Sequence, residues 1–296
     1  MAFFHAMNQQ AQTLPGTIRQ IMDQLLDRLI LLWRMTGEVV LSPFYSVYQM
    51  HLEGECSNWD IPQHIGIIMD GNRRFARANG FLNLLDGHAR GADKLDEVLN
   101  WCEEAGVGVV TVWIFSMDNF NREPSEVDGL MKLFEKKFLE LVEHPRIHRN
   151  QVRVRTLGRI DVLPESVQKA IRDAEQATAK YSRRILNIVV AYGGRQEIVD
   201  AFRSHLRDEG RRGRSLDEVC DSLQPESIEP YLYTSHVPDP DLIIRTSGEI
   251  RLSGFLLWQS VYSEFYFCDT HWPAFRKIDF LRALRAYNQR LRRYGR

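Results

Sequence analysis

Cysteine is scarce in this chain. Cys56, Cys102, Cys220 and Cys268 stand far apart and without metal-ligand spacing, which excludes a zinc motif and leaves a reduced, cytoplasmic protein as the simplest reading. The first residues lack the basic start and apolar core of an export signal. Charge of one sign is not in excess: 38 Lys and Arg against 39 Asp and Glu give a formal net charge of -1, so no nucleic acid partner is expected. Internal repeats are absent too. What remains is a chain of 296 residues, long enough for one large α/β domain and an appendage.

Residues 1–60 form the appendage. Ile18, Ile21, Leu25, Leu29 and Leu32 recur at helical spacing, widened by Leu26, Ile30 and Trp33, while Asp23, Asp27, Arg28 and Arg34 interrupt the stripe. Such a helical extension is too charged to span a bilayer; it either lies peripherally on a membrane or packs on a protein surface, its own core included. From residue 61 to 296 short apolar runs alternate with helical patterns. Strands are expected at the run after His64 and near residues 109–115, 152–157, 186–191, 242–244 and 264–267, and helices near 92–105, 125–142, 164–180, 195–207 and 279–291. This alternation predicts an α/β fold with a mainly parallel sheet surrounded by helices. Residues 208–214, with two glycines and three arginines, are expected to form an exposed loop.

Chemistry gathers where the predicted strands end. The apolar run Ile65-Gly66-Ile67-Ile68-Met69 leads into Asp70-Gly71-Asn72-Arg73-Arg74: a carboxylate, a turn, then two guanidiniums on a new helix. There Asp70 can hold Mg²⁺ while Arg73 and Arg74 grip phosphate oxygens, because helix N-termini at carboxyl strand ends favour anions. Position alone leaves open whether Asp70 only caps the helix. Further strand ends carry Ser116, Asn119, Phe120 and Arg122, then Tyr192-Gly193-Gly194-Arg195, then Arg245 to Ser253. In the last, Arg245, Arg251 and Ser253 suit a diphosphate, and like charges at that density need an anion or solvent. Glu264 is a lone acid opening an apolar strand, hence either a metal ligand or an ion-pair partner.

Taken in order, these blocks resemble the cis-prenyltransferase family, which includes undecaprenyl diphosphate synthase, from about Pro62 to the end of the chain. The resemblance implies a mainly parallel six-stranded sheet, a homodimer, and Mg²⁺-dependent condensation of isopentenyl diphosphate with an allylic prenyl diphosphate. It also implies roles. Asp70 matches the metal-linked aspartate and Glu264 the second metal ligand. Gly71, Asn72 and Arg74 match the loop around the allylic diphosphate, with His88 beside the same phosphates. Ser116, Asn119 and Arg122 match a loop over the substrates, and Arg245, Arg251 and Ser253 the isopentenyl diphosphate site. Arg293 and Gly295 match a C-terminal segment that reaches into the neighbouring protomer's site. Asp70, Asn72, Arg74, Ser116 and Asn119 are thus the catalytic candidates; Arg73, Phe75, Phe120 and Arg195 join the substrate-binding set.

Several positions depart from that pattern. The family's usual Gly-Arg-Trp is Arg73-Arg74-Phe75 here, and residues 81–86 lack an arginine common in relatives, so Arg73 is expected to replace that anion contact. Ile114 stands where long-chain synthases carry a small residue, which predicts a short or medium product. Three other readings compete with this one. An aspartyl-phosphate phosphatase needs a second carboxylate two residues after the first, where Asn72 stands. A non-catalytic partner subunit would lack Asp70, and a same-fold enzyme with another acceptor stays open.

Overall fold

Ile65, Ile67 and Ile68 are buried on opposite faces of one strand, as an uninterrupted apolar run requires when helices cover both sides of a parallel sheet. The computed structural model describes residues 47–290. Two units divide the chain, Met1–Gly54 and Glu55–Arg296. The amphipathic stripe of the predicted extension, Arg293 and Gly295 lie outside the described residues.

Six strands form one sheet: β1 (His64–Ile68), β2 (Val109–Trp113), β3 (Val152–Leu157), β4 (Arg184–Val189), β5 (Leu242–Arg245) and β6 (Glu264–Phe267), in the order β3-β4-β2-β1-β5-β6. Every pairing is parallel, as expected from the sequence. Ile68 pairs with Trp113 on one side and with Arg245 on the other, and Trp113 pairs with Val189. The loops leaving β1, β2, β4 and β5 therefore share one rim. The chain winds outward from β1 through β2 and then returns to β5 on the other side of β1, so the crevice between β1 and β5 is the switch point at which such sheets bind ligands.

After β1 the described residues form the helices α1 (Asn72–Ala78), α2 (Leu84–Ala105), α3 (Pro124–Glu143), α4 (Pro145–Arg149), α5 (Glu165–Thr178), α6 (Gly194–Arg211), α7 (Leu216–Ser222), α8 (Pro225–Ile228) and α9 (Lys277–Gln289). The main core joins Ile65, Ile67, Val110, Val112, Leu186 and Ile188 to the apolar faces of α2, α3, α5 and α9. Each large side chain buried there contributes about 1.5–3 kcal/mol. Across the sheet a smaller cluster gathers Ile68, Val189, Tyr192, Ile243 and Phe255.

Two elements differ from the sequence expectation. α2 starts at Leu84, well before residue 92, with the Asn83 side chain accepting from the Leu85 N–H at 3.0 Å. Gly87 and Gly91 hide this turn from a propensity argument; they are needed because a Cβ at either would strike Asn72. Residues 208–211 continue α6 rather than opening an exposed loop. The buried Glu209 carboxylate binds Arg212 at 2.8 Å and Arg214 at 2.5 Å, which ties the arginines to the helix end.

A polar chain crosses the second face of the sheet. His236 Nε2 donates to Asn187 Oδ1 at 3.2 Å, Asn187 Nδ2 to Thr111 Oγ1 at 3.0 Å, Thr111 to His64 Nε2 at 2.7 Å, and His64 Nδ1 to Pro238 O at 2.6 Å. This order is self-consistent only with His64 neutral and protonated on Nδ1. Burial pushes the His64 pKa down from 6.5 to about 4, against the Pro238 hydrogen bond and Asp241. Because the unfolded imidazole takes up a proton that the folded one refuses, this contribution is intact above pH 6.5 and is lost as pH falls toward 4. Chemical denaturation at pH 7 and at pH 5 is expected to show stability lower at pH 5 by on the order of 2 kcal/mol from this group, and His64→Gln is expected to flatten that slope. An unchanged slope in the variant would place the pH dependence elsewhere.

Candidate active site

Asp70 follows β1 after one residue, and its backbone is fixed before its side chain acts. Its carbonyl accepts from Trp272 N at 3.0 Å and from Thr246 Oγ1 at 2.7 Å. Gly71 then turns the chain into α1 at φ 105, a left-handed conformation that glycine adopts without strain. A Cβ there would also lie 2.9 Å from both His271 Nδ1 and Ser247 Oγ.

The Asp70 carboxylate is clamped between two arginines. Arg245 Nη2 donates to Oδ2 at 2.8 Å and Arg74 Nη2 to Oδ1 at 3.0 Å. Burial alone would raise the Asp70 pKa, but the Arg245 and then the Arg74 hydrogen bonds outweigh it and hold the carboxyl below its ordinary range. Arg245 is only 5% exposed, so it depends on this partner; breaking such a buried pair costs about 3–5 kcal/mol. Its other Nη donates to Ser253 Oγ at 2.9 Å and to the Arg251 carbonyl. Arg74 reaches Glu249 at 2.9 Å and the Ser247 carbonyl at 3.3 Å. Ser247 and Ser253 have φ of 80 and 53, strained values for non-glycine residues that cluster where loops are shaped by function.

A second charge cluster faces the first. Glu126, 8% exposed in the first turn of α3, accepts from Arg122 at 3.1 Å and lies 3.4 Å from Arg73 Nε and 3.8 Å from His88 Nε2. Burial, then the Arg122 charge, pushes the His88 pKa down to about 4, so its imidazole is neutral near pH 7. Arg73 Nε, His88 Nε2, Asn72 Oδ1 and Arg245 Nε are buried without hydrogen-bond partners, which suits a site that closes around a polar ligand.

Around these residues opens a cleft of about 360 Å³, lined by Arg73, Arg74, Arg77, Arg122 and Arg245 with Asp70 as the acid among them. Gly71, Asn72, His88, Ser116, Asn119 and Ser253 complete the part anticipated from the sequence. Asn119 Oδ1 accepts from the Ser116 backbone N–H at 3.1 Å, holding the turn that aims both residues inward. Directly below lies an apolar cavity of about 100 Å³ between α2, α3 and the sheet, which shares Met69, Asn72, His88 and Ile114 with the cleft.

Other expected residues stand outside the cleft. Phe75 packs edge-on against Phe81 at 5.9 Å, and Phe120 against Phe115 at 4.9 Å. Arg195 is exposed in the first turn of α6. Arg251 pairs with Glu249 at 2.5 Å and reaches the site through its carbonyl. Glu264 requires a correction: it begins β6 in register with Leu242 and so with Ile65, at the opposite end of the strands from Asp70. The strand rise separates the two by about 16 Å along the sheet alone, and Glu264 instead pairs with Arg290 at 2.6 Å. One chain does not bring these carboxylates to a common ion. Conversely, Glu126, Ser247, Glu249 and His271 were not singled out from the sequence. Glu126 and Glu249 carried a signal, an acid within four residues of a candidate arginine. His271, whose Nδ1 meets Ser247 Oγ at 3.0 Å, carried none.

The chain is similar to known proteins over most of its length. The family model described as putative undecaprenyl diphosphate synthase matches residues 68–295. The isoprenyl transferase of Deinococcus radiodurans is 51% identical over 249 residues, covering 84% of this chain and 90% of that protein. The tritrans,polycis-undecaprenyl-diphosphate synthase (geranylgeranyl-diphosphate specific) of Methanopyrus kandleri is 51% identical over 263 residues, covering 89% and 95%. Among solved structures, lavandulyl diphosphate synthase from Lavandula x intermedia, in complex with dimethylallyl diphosphate, superposes with a TM-score of 0.72 at 33% identity, over 80% of this chain and 99% of that one. With its sheet order, basic cleft and apolar cavity, the chain belongs to the undecaprenyl diphosphate synthase family of cis-prenyltransferases.

Proposed function

We propose that the protein condenses isopentenyl diphosphate with an allylic prenyl diphosphate, adding prenyl units in the cis configuration. The observation that carries this is the junction of the two cavities: an arginine-lined cleft for oxyanions opens directly into an apolar cavity for hydrocarbon. A diphosphate with a short polar head and a growing apolar tail fits both at once. A phosphatase or a soluble-anion carrier would need only the first.

In this scheme Arg73, Arg74, Arg122 and neutral His88 bind the allylic diphosphate, while Arg245, Ser253 and the Arg251 segment bind isopentenyl diphosphate. Arg73 stands in for the arginine missing from residues 81–86, since its guanidinium reaches the cleft beside Arg122. Delocalised allylic cations form readily, so positioning and stabilisation of the departing diphosphate carry the rate. Asn72 and Ser116 would orient the groups near the proton lost in the final elimination.

Mg²⁺ suits this donor set: Asp70 is ionised and reaches the cleft, and diphosphates supply further hard oxygens. Among the described residues no group of three or more His, Cys, Asp or Glu could hold a metal, so with Asp70 as the protein ligand, water and substrate oxygens would fill the remaining positions. When bound, the ion would neutralise diphosphate charge. Arg293 and Gly295 would complete the neighbouring protomer's site in a homodimer, and residues 1–60 would hold the enzyme near its lipid product. Among the described residues no helix is long and apolar enough to cross a membrane.

Purified protein with Mg²⁺, labelled isopentenyl diphosphate and a series of allylic primers is expected to yield labelled polyprenyl diphosphates. Asp70→Ala should cut that turnover by roughly two or more decades, the scale of losing a principal electrostatic group, while substrate binding falls less. Near-normal turnover would remove the metal role from Asp70; no label above background in the unaltered protein would remove the condensation itself. Ile114, at the junction of the two cavities, narrows the way inward. Ile114→Ala is expected to shift the product distribution by at least one isoprene unit toward longer chains, and an unchanged distribution would show that this side chain does not limit growth.

A further inference from the structure

β3 is an edge strand of the sheet, and α5 closes its free edge. The Val154 N–H donates to Thr178 Oγ1 at 3.1 Å and the Thr156 N–H to Glu175 Oε1 at 2.6 Å. Val154 belongs to the main core and Leu157 to the cluster across the sheet, so strand alternation puts Arg153 and Arg155 on the second face with Leu157. They stand two residues apart, about 6.6 Å along the strand, and both are half-buried. Among the described residues neither guanidinium makes a hydrogen bond or an ion pair. By contrast, the half-buried Arg184 pairs with Glu103 at 3.2 Å and Arg122 with Glu126 at 3.1 Å. Glu175 is the acid whose charge reaches Arg155, but its carboxylate is committed to the strand edge. Burial and then the Arg153 charge therefore prevail over Glu175 and lower the Arg155 pKa. The same uncompensated charge reaches His236, whose pKa is pushed down to about 4 by burial and then by Arg155 and Arg153.

We propose that Arg153 and Arg155 form a second oxyanion site, separate from the cleft, that takes a phosphate-class dianion. Each guanidinium presents a planar fork of donors that matches two phosphate oxygens. A dianion bridging the pair neutralises both charges at once, which removes their mutual repulsion and gives each half-buried cation a partner. The strand holds the two side chains in place for this, because β3 is pinned by β4 on one edge and by α5 on the other. The position is remote from the rim. β3 lies three strand spacings from β1, about 14 Å, and Arg155 is in register, through Asn187 and Thr111, with Gly66 in the middle of β1. The site therefore stands independently of the prenyl-transfer reading. Its phosphate comes either free in solution or as the headgroup of an anionic lipid, since both present the same oxygens.

The test is calorimetric titration of inorganic phosphate into the full chain, alongside sedimentation with vesicles of phosphatidylcholine alone or mixed with phosphatidic acid. In R153Q/R155Q one class of phosphate site per chain is expected to weaken by roughly tenfold or more, the scale of losing charge-assisted hydrogen bonds. Phosphate that enters the cleft appears as a class that this variant leaves unchanged, and incorporation of labelled isopentenyl diphosphate should stay within about twofold of the unaltered protein, because neither arginine lines the cleft. If the double variant does not fold, Arg155→Gln alone is expected to weaken the same class, with Arg155→Lys, which keeps the charge but loses the fork, falling between it and the unaltered protein. Loss of free-phosphate binding in the variant assigns the site to a soluble anion. Binding only to phosphatidic acid vesicles, abolished by the same substitutions, assigns it to a lipid headgroup. Phosphate and vesicle binding that are indifferent to both substitutions, or absent from the unaltered protein, would overturn the site while leaving the prenyl-transfer reading intact.

Discussion

One carboxylate organises the rim of the sheet. Asp70 sits between Arg74 and Arg245, brought from the helix after β1 and from the end of β5, on the two strands that flank the switch point. Without it the buried Arg245 would face other cations across a low-dielectric gap, and the loop carrying Ser247 to Ser253 would lose its anchor. With it, guanidiniums that would otherwise repel are held at one rim with their remaining donors turned toward the cleft. The same carboxylate stays ionised because those guanidiniums hold its pKa down, so the contact that builds the rim also keeps its one acid charged.

Glu126 performs a parallel service on the other wall. It gathers Arg73, Arg122 and His88, and burial keeps the imidazole neutral. The cleft is thereby strongly cationic in a chain whose formal net charge is -1. Local charge, set by the rim, decides the ligand where global charge gives no hint.

Much of this was legible in the sequence because strand ends are. An apolar run that stops at Asp70-Gly71-Asn72 announces both a buried parallel strand and the rim where the cleft opens, and Arg245 announces the matching end of β5. Two features escaped for physical reasons. Gly87 and Gly91 read as helix breakers, although they serve the close approach of Asn72 to α2, a contact between segments that no local propensity encodes. Glu264 is a companion for Asp70 by the family resemblance, yet parallel register carries it to the far end of the strands, where the ion pair its type also allowed is formed with Arg290. Similarly, the chain from His236 through Asn187 and Thr111 to His64 joins residues more than a hundred positions apart and leaves no pattern along the sequence.

The central claim is that the Asp70, Arg74 and Arg245 cluster receives diphosphate oxygens. A crystal structure of the full chain with Mg²⁺, isopentenyl diphosphate and an unreactive allylic thiolodiphosphate tests it most directly. The account predicts both diphosphates at the rim between β1 and β5, within hydrogen-bond distance of Arg74 and Arg245, with the ion on Asp70 and the allylic tail running between α2 and α3. Diphosphates bound elsewhere, with the Asp70 pair undisturbed, would contradict it.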